Sequence, residues 1–234
     1  MKPLAIFSSD ENPNYCQFAP IVTEFWQACG FDTFYGLVGS KEFPQIPNVS
    51  SALQSQILRM YVTKLFPDRV ILLTDIDMLP LNKEYFLSKL PKEYDEISIY
   101  SSDAYILDNF PIAGIRYPIC YLSSYGKTFS SIALDNENET WEDFVLRLNS
   151  LNFGWNTDEL YISEKINLSS FKKICHNRGF HNPNVIGLDK PGQKIKRLDR
   201  TYWGVDNIDY IDAHCPRPYS NYKESIDALK AFIV

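Results

Sequence analysis

The sequence predicts an α/β domain built on a mainly parallel central sheet flanked by helices, and three observations carry that prediction. Short apolar runs alternate with stretches of helical periodicity through the first hundred residues. The run Val70-Ile71-Leu72-Leu73 is apolar throughout, as expected of a strand covered on both faces. Two acids, Asp75 and Asp77, then arrive where that strand should end, and open α/β sheets bind ligands at the carboxyl ends of their strands. Pro80 supports the ending, because it has no N–H to give a ladder.

Residues 4–7 make a first strand, followed by the polar loop 8–14. A helix then carries Phe18, Ile21, Val22, Phe25, Trp26 and Cys29 at helical spacing until Gly30 stops it. Residues 33–38 form a second strand, and a loop punctuated by Pro44 and Pro47 leads to Ser50 or Ser51 as the cap of the next helix. Its core face includes Leu53, Ile57, Tyr61 and Leu65, and Pro67 ends it before the central strand. This βαβαβ alternation predicts a right-handed, nucleotide-binding half. On the second helix Gln56, Arg59 and Thr63 form a polar stripe. It is either a solvated face, or it brings the Arg59 guanidinium, a fixed fork of donors, to a phosphate or sugar.

Asn82 can cap a short helix through Tyr85, Phe86 and Leu90. Residues 96–100 alternate like a strand, and residues 115–122 read as another, demoted to an edge or bulge by Pro118, with residues 123–127 as a turn. Thr140 with Asp143 forms a capping box for a helix bearing Trp141, Phe144, Val145, Leu148 and Leu151. Thr157 caps the helix after it, which places Asp158 and Glu159 in a first turn, where the helix dipole by itself favours an anion. Residues 194–200, from Lys194 to Arg200, form the densest basic run: a diphosphate contact or a solvated loop. His214 stands between an apolar stretch and a Pro-rich turn, and Ser220 caps a last helix. His176 and His181 read as incidental, since no paired cysteine completes a zinc set.

At 234 residues the chain suits one substantial domain, and its net charge of −6 argues against a nucleic-acid binder. Its 15 Tyr and 15 Phe can serve core packing or sugar stacking. Five scattered cysteines fit reduced thiols in a cytoplasmic protein. No segment approaches the roughly 20 apolar residues of a membrane helix, and the N-terminal apolar run is too short for a signal peptide. Three glycosylation sequons, at Asn48, Asn138 and Asn167, are therefore read as chance matches. An Asp-x-Asp pair at a strand end offers hard oxygen ligands for Mg²⁺ or Mn²⁺, or it is simply a polar turn.

Three separated pieces resemble one family: residues 70–81 with their Asp-Ile-Asp, Trp155-Asn-Thr-Asp158-Glu-Leu-Tyr, and the late Asp212-Ala-His214. Together they are similar to the GT-A-fold glycosyltransferases, above all the small nucleotide-sugar-dependent ones of large DNA viruses and bacteria. The helix around Arg59, placed just before the Asp-x-Asp strand, fits as well. The resemblance covers most of the chain. It implies a single Rossmann-like catalytic domain over 1–234, with about 1–100 holding the nucleotide-sugar and about 101–234 the acceptor.

Residue by residue, the resemblance implies that Asp75 and Asp77 are the metal-binding pair. Asp77 would be the direct Mn²⁺ (or Mg²⁺) ligand, and Asp75 would lie nearer the donor ribose or sugar, with Ile76 between them at the donor. His214 joins the metal. Ser8 and Asp10 match the nucleotide-holding loop, and Arg59 is placed at the donor. Asp158 matches the acid that serves as general base in inverting members; retaining members can carry a carboxylate nearby too, so the stereochemistry stays open. Trp155 and Tyr121 are candidate platforms for acceptor sugar rings, with buried packing as the other reading of Tyr121. The implied donor is a UDP-sugar and the implied partner a glycan or other hydroxyl acceptor, with no nucleic acid and no membrane span.

Three other readings compete. A haloacid-dehalogenase-type phosphatase would use Asp75 as nucleophile, but its motif continues to Thr or Val where this chain has Leu79, and it lies on a first strand. A catalytically silent sugar-nucleotide-binding domain would keep the acids and lose turnover. A nucleotidylyltransferase would want a glycine-rich first loop, and Ser8-Ser9-Asp10-Glu11 has none.

Overall fold

The computed structural model describes residues 1–105, 110–178, 196–203 and 210–233. In chain order the elements are β1 (Leu4–Ser9), α1 (Pro13–Cys16), α2 (Ala19–Ala28), β2 (Asp32–Leu37), α3 (Ser51–Tyr61), β3 (Val70–Thr74), β4 (Met78–Pro80) and α4 (Lys83–Ser88). After these come β5 (Glu96–Tyr100), β6 (Tyr121–Tyr125), α5 (Gly126–Ala133), α6 (Trp141–Ser150), α7 (Thr157–Leu168), β7 (Lys172–His176), β8 (Lys196–Asp199), β9 (Tyr210–His214) and α8 (Tyr219–Ala228).

The central sheet has the order β2-β1-β3-β6-β5-β7. β1 runs parallel to β2 and β3, and β5 to β7; β6 alone runs against its neighbours β3 and β5. Alternation along each strand splits the core in two. Leu4, Ile6, Ile71 and Leu73 face α3, α5, α6 and α7 on one side. Ala5, Phe7 and Leu72 face α2, α4 and α8 on the other. A second, three-stranded sheet, β4-β9-β8, is separated from β3 by three residues and adds Leu79, Leu198, Ile211 and Ala213 to the same core as α2, α4 and α8.

Local sequence explains most boundaries. Gly30, at φ +87°, takes the left-handed turn just beyond α2, as predicted. Asn82 Oδ1 accepts from the Tyr85 N–H at 2.7 Å, and Thr140 Oγ1 accepts from the Asp143 N–H at 3.1 Å. Several expectations need correction. The helical turn gives way at Val62–Leu65 to a 3₁₀ turn that swings Leu65 out to 51 % exposure, so Leu65 is not a core residue. The Gln56–Arg59–Thr63 stripe is not a solvated face, since Arg59 and Thr63 are buried. The strand predicted over 115–122 lies at Tyr121–Tyr125, because Ser123 and Ser124 spend their hydroxyls on the Ile71 and Glu96 carbonyls and sit in the core. Gly126 is therefore no turn glycine: a Cβ there would come within 2.1 Å of the Phe66 carbonyl oxygen.

The basic run is also part strand, since residues 196–199 form β8 beside β9. Thr157 opens α7 as its first residue, after Asn156 at the cap position, and Pro218 rather than Ser220 holds the cap position of α8. Lys194, Ile195 and His181 lie outside the described residues. All five cysteines are free. Among the described residues, no helix is long and apolar enough to cross a membrane.

Candidate active site

One cavity of about 700 Å³ opens at the carboxyl ends of β1, β3 and β5, and the second sheet gives Met78, Arg197 and His214 to its lining. Nearly every residue singled out from the sequence lines it: Ser8 and Asp10 after β1, Arg59 on α3, Asp75, Ile76 and Asp77 after β3, Trp155 and Asp158 before and at the start of α7, and His214 at the end of β9. Tyr121 does not. It is 1 % exposed and packs edge-on against Trp26 and Phe86 with centroids 6.0 and 4.9 Å apart, so it belongs to the core and cannot carry a sugar ring. Trp155 is 63 % exposed at the rim, as a platform must be.

The loop after β1 is tied down by short bonds. The Ser8 hydroxyl donates to the Ser55 carbonyl at 2.6 Å, and Ser51 donates to Asp10 Oδ2 at 2.6 Å, so α3 holds both residues. Arg59 reaches the cavity from the same helix, yet its partners are carboxylates: Nη1 donates to Asp75 Oδ1 and Nη2 to Asp158 Oδ2 at 2.7 Å. A single buried guanidinium thus bridges the end of β3 to the start of α7, and its charge is held fast by both acids.

Asp77 has different company. Pairing of Met78 with His214 in the β4–β9 ladder sets the imidazole beside it, and the Cys215 N–H donates to the Asp77 carbonyl at 2.8 Å. Asp77 Oδ2 lies 3.5 Å from His214 Nε2 and 3.6 Å from both Arg200 and Arg217. Burial pushes its carboxyl up, but the His214 hydrogen bond and these positive charges outweigh that and leave it below the usual carboxylate range. At Asp158 burial wins over Arg59, helped by the negative charge of Asp75, and the carboxyl is raised.

Three cavity residues carried no role in the sequence reading. Glu159 accepts from Arg116 Nε at 2.8 Å and from the Ile119 N–H at 3.2 Å, and burial with the nearby Asp158 and Asp75 charges raises it to about 7 despite Arg116. Arg116 lies over the rings of Tyr105 and Phe110 at 4.2 and 4.3 Å. Arg217 donates to the Tyr15 hydroxyl. The sequence signals were faint: Arg116 sat in a misplaced strand, and Arg217 in a proline-flanked turn. Behind the cavity, Asp212 accepts two bonds from Arg178 at 3.0 Å each and two from Arg197, which hold its carboxyl, otherwise raised by burial, down at about 2.

Of the three expected metal ligands the structure brings two together. Asp77 and His214 are adjacent, whereas Asp75 is turned onto Arg59, and among the described residues no set of three His, Cys, Asp or Glu side chains is gathered for a metal. A hard carboxylate beside an imidazole still fits a divalent ion whose other positions go to phosphate oxygens and water.

A mainly parallel sheet with one reversed strand, and a site built on acids at the end of the third strand, together define the GT-A fold of glycosyltransferases. Solved structures of that class match over nearly the whole chain. A glycosyltransferase involved in the glycosylation of the major capsid of PBCV-1 is 14 % identical, with a TM-score of 0.50, over 96 % of this chain and 99 % of its own. The galactosyltransferase LgtC, in complex with donor and acceptor sugar analogues, is 10 % identical, with a TM-score of 0.52, over 99 % and 96 %. No protein-family model and no curated protein sequence matches the chain. The likeness is one of fold.

Proposed function

We propose that the protein is a metal-dependent glycosyltransferase that moves a sugar from a UDP-sugar to a hydroxyl of a saccharide acceptor. One observation carries this reading: the Asp75-Ile76-Asp77 turn, His214 and Asp158 converge from three elements on one cavity at the ligand-binding edge of a GT-A sheet. The chain is then a single catalytic domain, with about residues 1–100 holding the nucleoside of the donor and about 101–234 the acceptor, while His214, Arg200 and Arg217 reach back to the donor's diphosphate.

In this reading Ser8, Asp10 and the loop after β1 hold the nucleoside. Asp77 and His214 would hold the divalent cation, which when bound supplies positive charge to the departing diphosphate. Arg200 and Arg217, already poised at Asp77, add charge where it grows as the anomeric carbon–oxygen bond breaks. Arg59 fixes Asp75 at the sugar and orients Asp158. The raised carboxyl of Asp158 suits a general base: it takes the acceptor hydroxyl proton while that oxygen bonds the anomeric carbon from the face opposite the leaving diphosphate. Attack from that face would invert the anomeric centre. Trp155 offers an apolar face to the acceptor ring. A phosphatase with Asp75 as nucleophile is disfavoured, since that carboxylate is spent on Arg59 and its strand is the third of the sheet rather than the first.

The test is calorimetry with UDP and GDP, with and without Mn²⁺, on the parent and on Asp77→Ala. Mn²⁺-dependent UDP binding that disappears in the variant is the expected result. Absence of nucleotide binding under every metal condition overturns the proposal.

A further inference from the structure

Ser101, the residue that follows β5, combines four properties that folding alone does not favour together. Its backbone has φ +57°, the left-handed region where a Cβ is a hindrance. It is 2 % exposed. Among the described residues its Oγ is a buried polar atom with no hydrogen-bond partner. It also lines the cavity that holds Asp75, Asp77 and Asp158. Glycine would remove the strain and the orphaned hydroxyl in one step, so a serine here is doubly unfavourable to the empty fold. Strained residues with unspent polar groups collect at sites where a ligand supplies the missing partner.

The sheet register says where that ligand lies. Thr74 pairs with Tyr121 across β3 and β6, and Ile99 with Leu122 across β5 and β6. Carrying both ladders forward sets Asp75 beside Cys120, and Cys120 beside Ser101. These three cavity-lining residues thus form a row across three strand ends, with Ser101 two strand spacings, about 10 Å, from Asp75. The nucleoside loop lies on the far side of Asp75, after β1. Ser101 is therefore placed past the diphosphate, at the sugar end of the cavity. A serine hydroxyl that spends no bond among the described residues can turn among its staggered wells, and it can both give and accept.

We propose that Ser101 Oγ hydrogen-bonds a hydroxyl of a bound pyranose and so helps to select which sugar the site accepts. This rests on the glycosyl-transfer reading above. The same chemistry is offered by the hexose of the donor and by that of the acceptor, and the experiment separates them.

Calorimetry in Mn²⁺ compares the parent, Ser101→Ala and Ser101→Gly, with UDP, UDP-glucose and UDP-galactose as donor probes. Glucose and galactose, added to the protein saturated with UDP, are the acceptor probes. Both variants should bind UDP as the parent does. A Kd raised about 5- to 10-fold for the preferred UDP-hexose assigns the bond to the donor, and the same loss confined to the free sugar assigns it to the acceptor. Ser101→Gly should melt no lower than the parent, because it sheds strain. Parent-like affinity of both variants for every sugar overturns the proposal and leaves the glycosyl-transfer reading standing. Marked destabilisation of the glycine variant also overturns it, by making the serine structural. A parent that binds none of the UDP probes overturns both.

Discussion

The two ends of the cavity bury carboxylates to a similar degree and treat them in opposite ways. Asp77 is surrounded by His214, Arg200 and Arg217, and its carboxyl is held below the usual range. Asp158 shares a single guanidinium with Asp75, and Glu159 shares its surroundings with two other acids, so burial prevails and both are raised. The difference is made by the count and placement of cations, since desolvation pushes all three the same way. Groups driven apart in this manner take different parts in proton chemistry: a permanent anion at one end and proton-accepting groups at the other.

The contrast can be broken most severely by Asp158→Asn. Loss of the proposed general base should lower kcat about 10²- to 10⁴-fold in a transfer assay, with the Tm unchanged or higher because a buried charge has gone. Parent-like turnover would remove Asp158 from the chemistry. Next is Arg59→Met, which strips the buried Asp158 of its cation; urea unfolding should show a loss of about 3–5 kcal/mol, largely restored in the double variant Arg59→Met/Asp158→Asn.

Glu159→Gln sharpens the comparison through pH. A carboxyl raised from 4.5 to about 7 on folding gives stability that is complete below pH 4.5, declines as pH rises toward 7 and is flat above it. The decline amounts to something on the order of 3 kcal/mol, and it should vanish from Tm-versus-pH curves of the variant. Asp77, depressed on folding, contributes with the opposite sign: its share is present above its usual 3.8 and is lost on acidification. The smallest effect belongs to Trp155→Ala, which should leave stability within about 0.5 kcal/mol while raising the acceptor KM several-fold.

How much of this was legible in the sequence follows the range of the interactions involved. Asn82, Thr140 and Gly30 act on neighbours a few residues away, and each was placed correctly from local chemistry. The Asp-x-Asp turn was legible because a fully apolar strand announced its own end. Ser123 and Ser124 misled, since their partners are carbonyls of neighbouring strands, and nothing nearby in the chain distinguishes them from turn serines. Tyr121 failed as a sugar platform for the same reason: only the sheet decides which face it takes. Arg59 was correctly brought to the cavity, but its pairing with Asp158 spans 99 positions and left no local trace. The strain at Ser101 is a property of the backbone, which composition does not encode.

Cys120, between Asp75 and Ser101 in the row of strand ends, gives the site an unexpected durability. Burial and the negative Asp75 push its thiol up to about 11 even though Arg197 draws it down, so the reactive thiolate is scarce at neutral pH. Peroxides and alkylating reagents attack thiolates, and a cavity floored by this sulfur should outlast one built around an ordinary exposed cysteine.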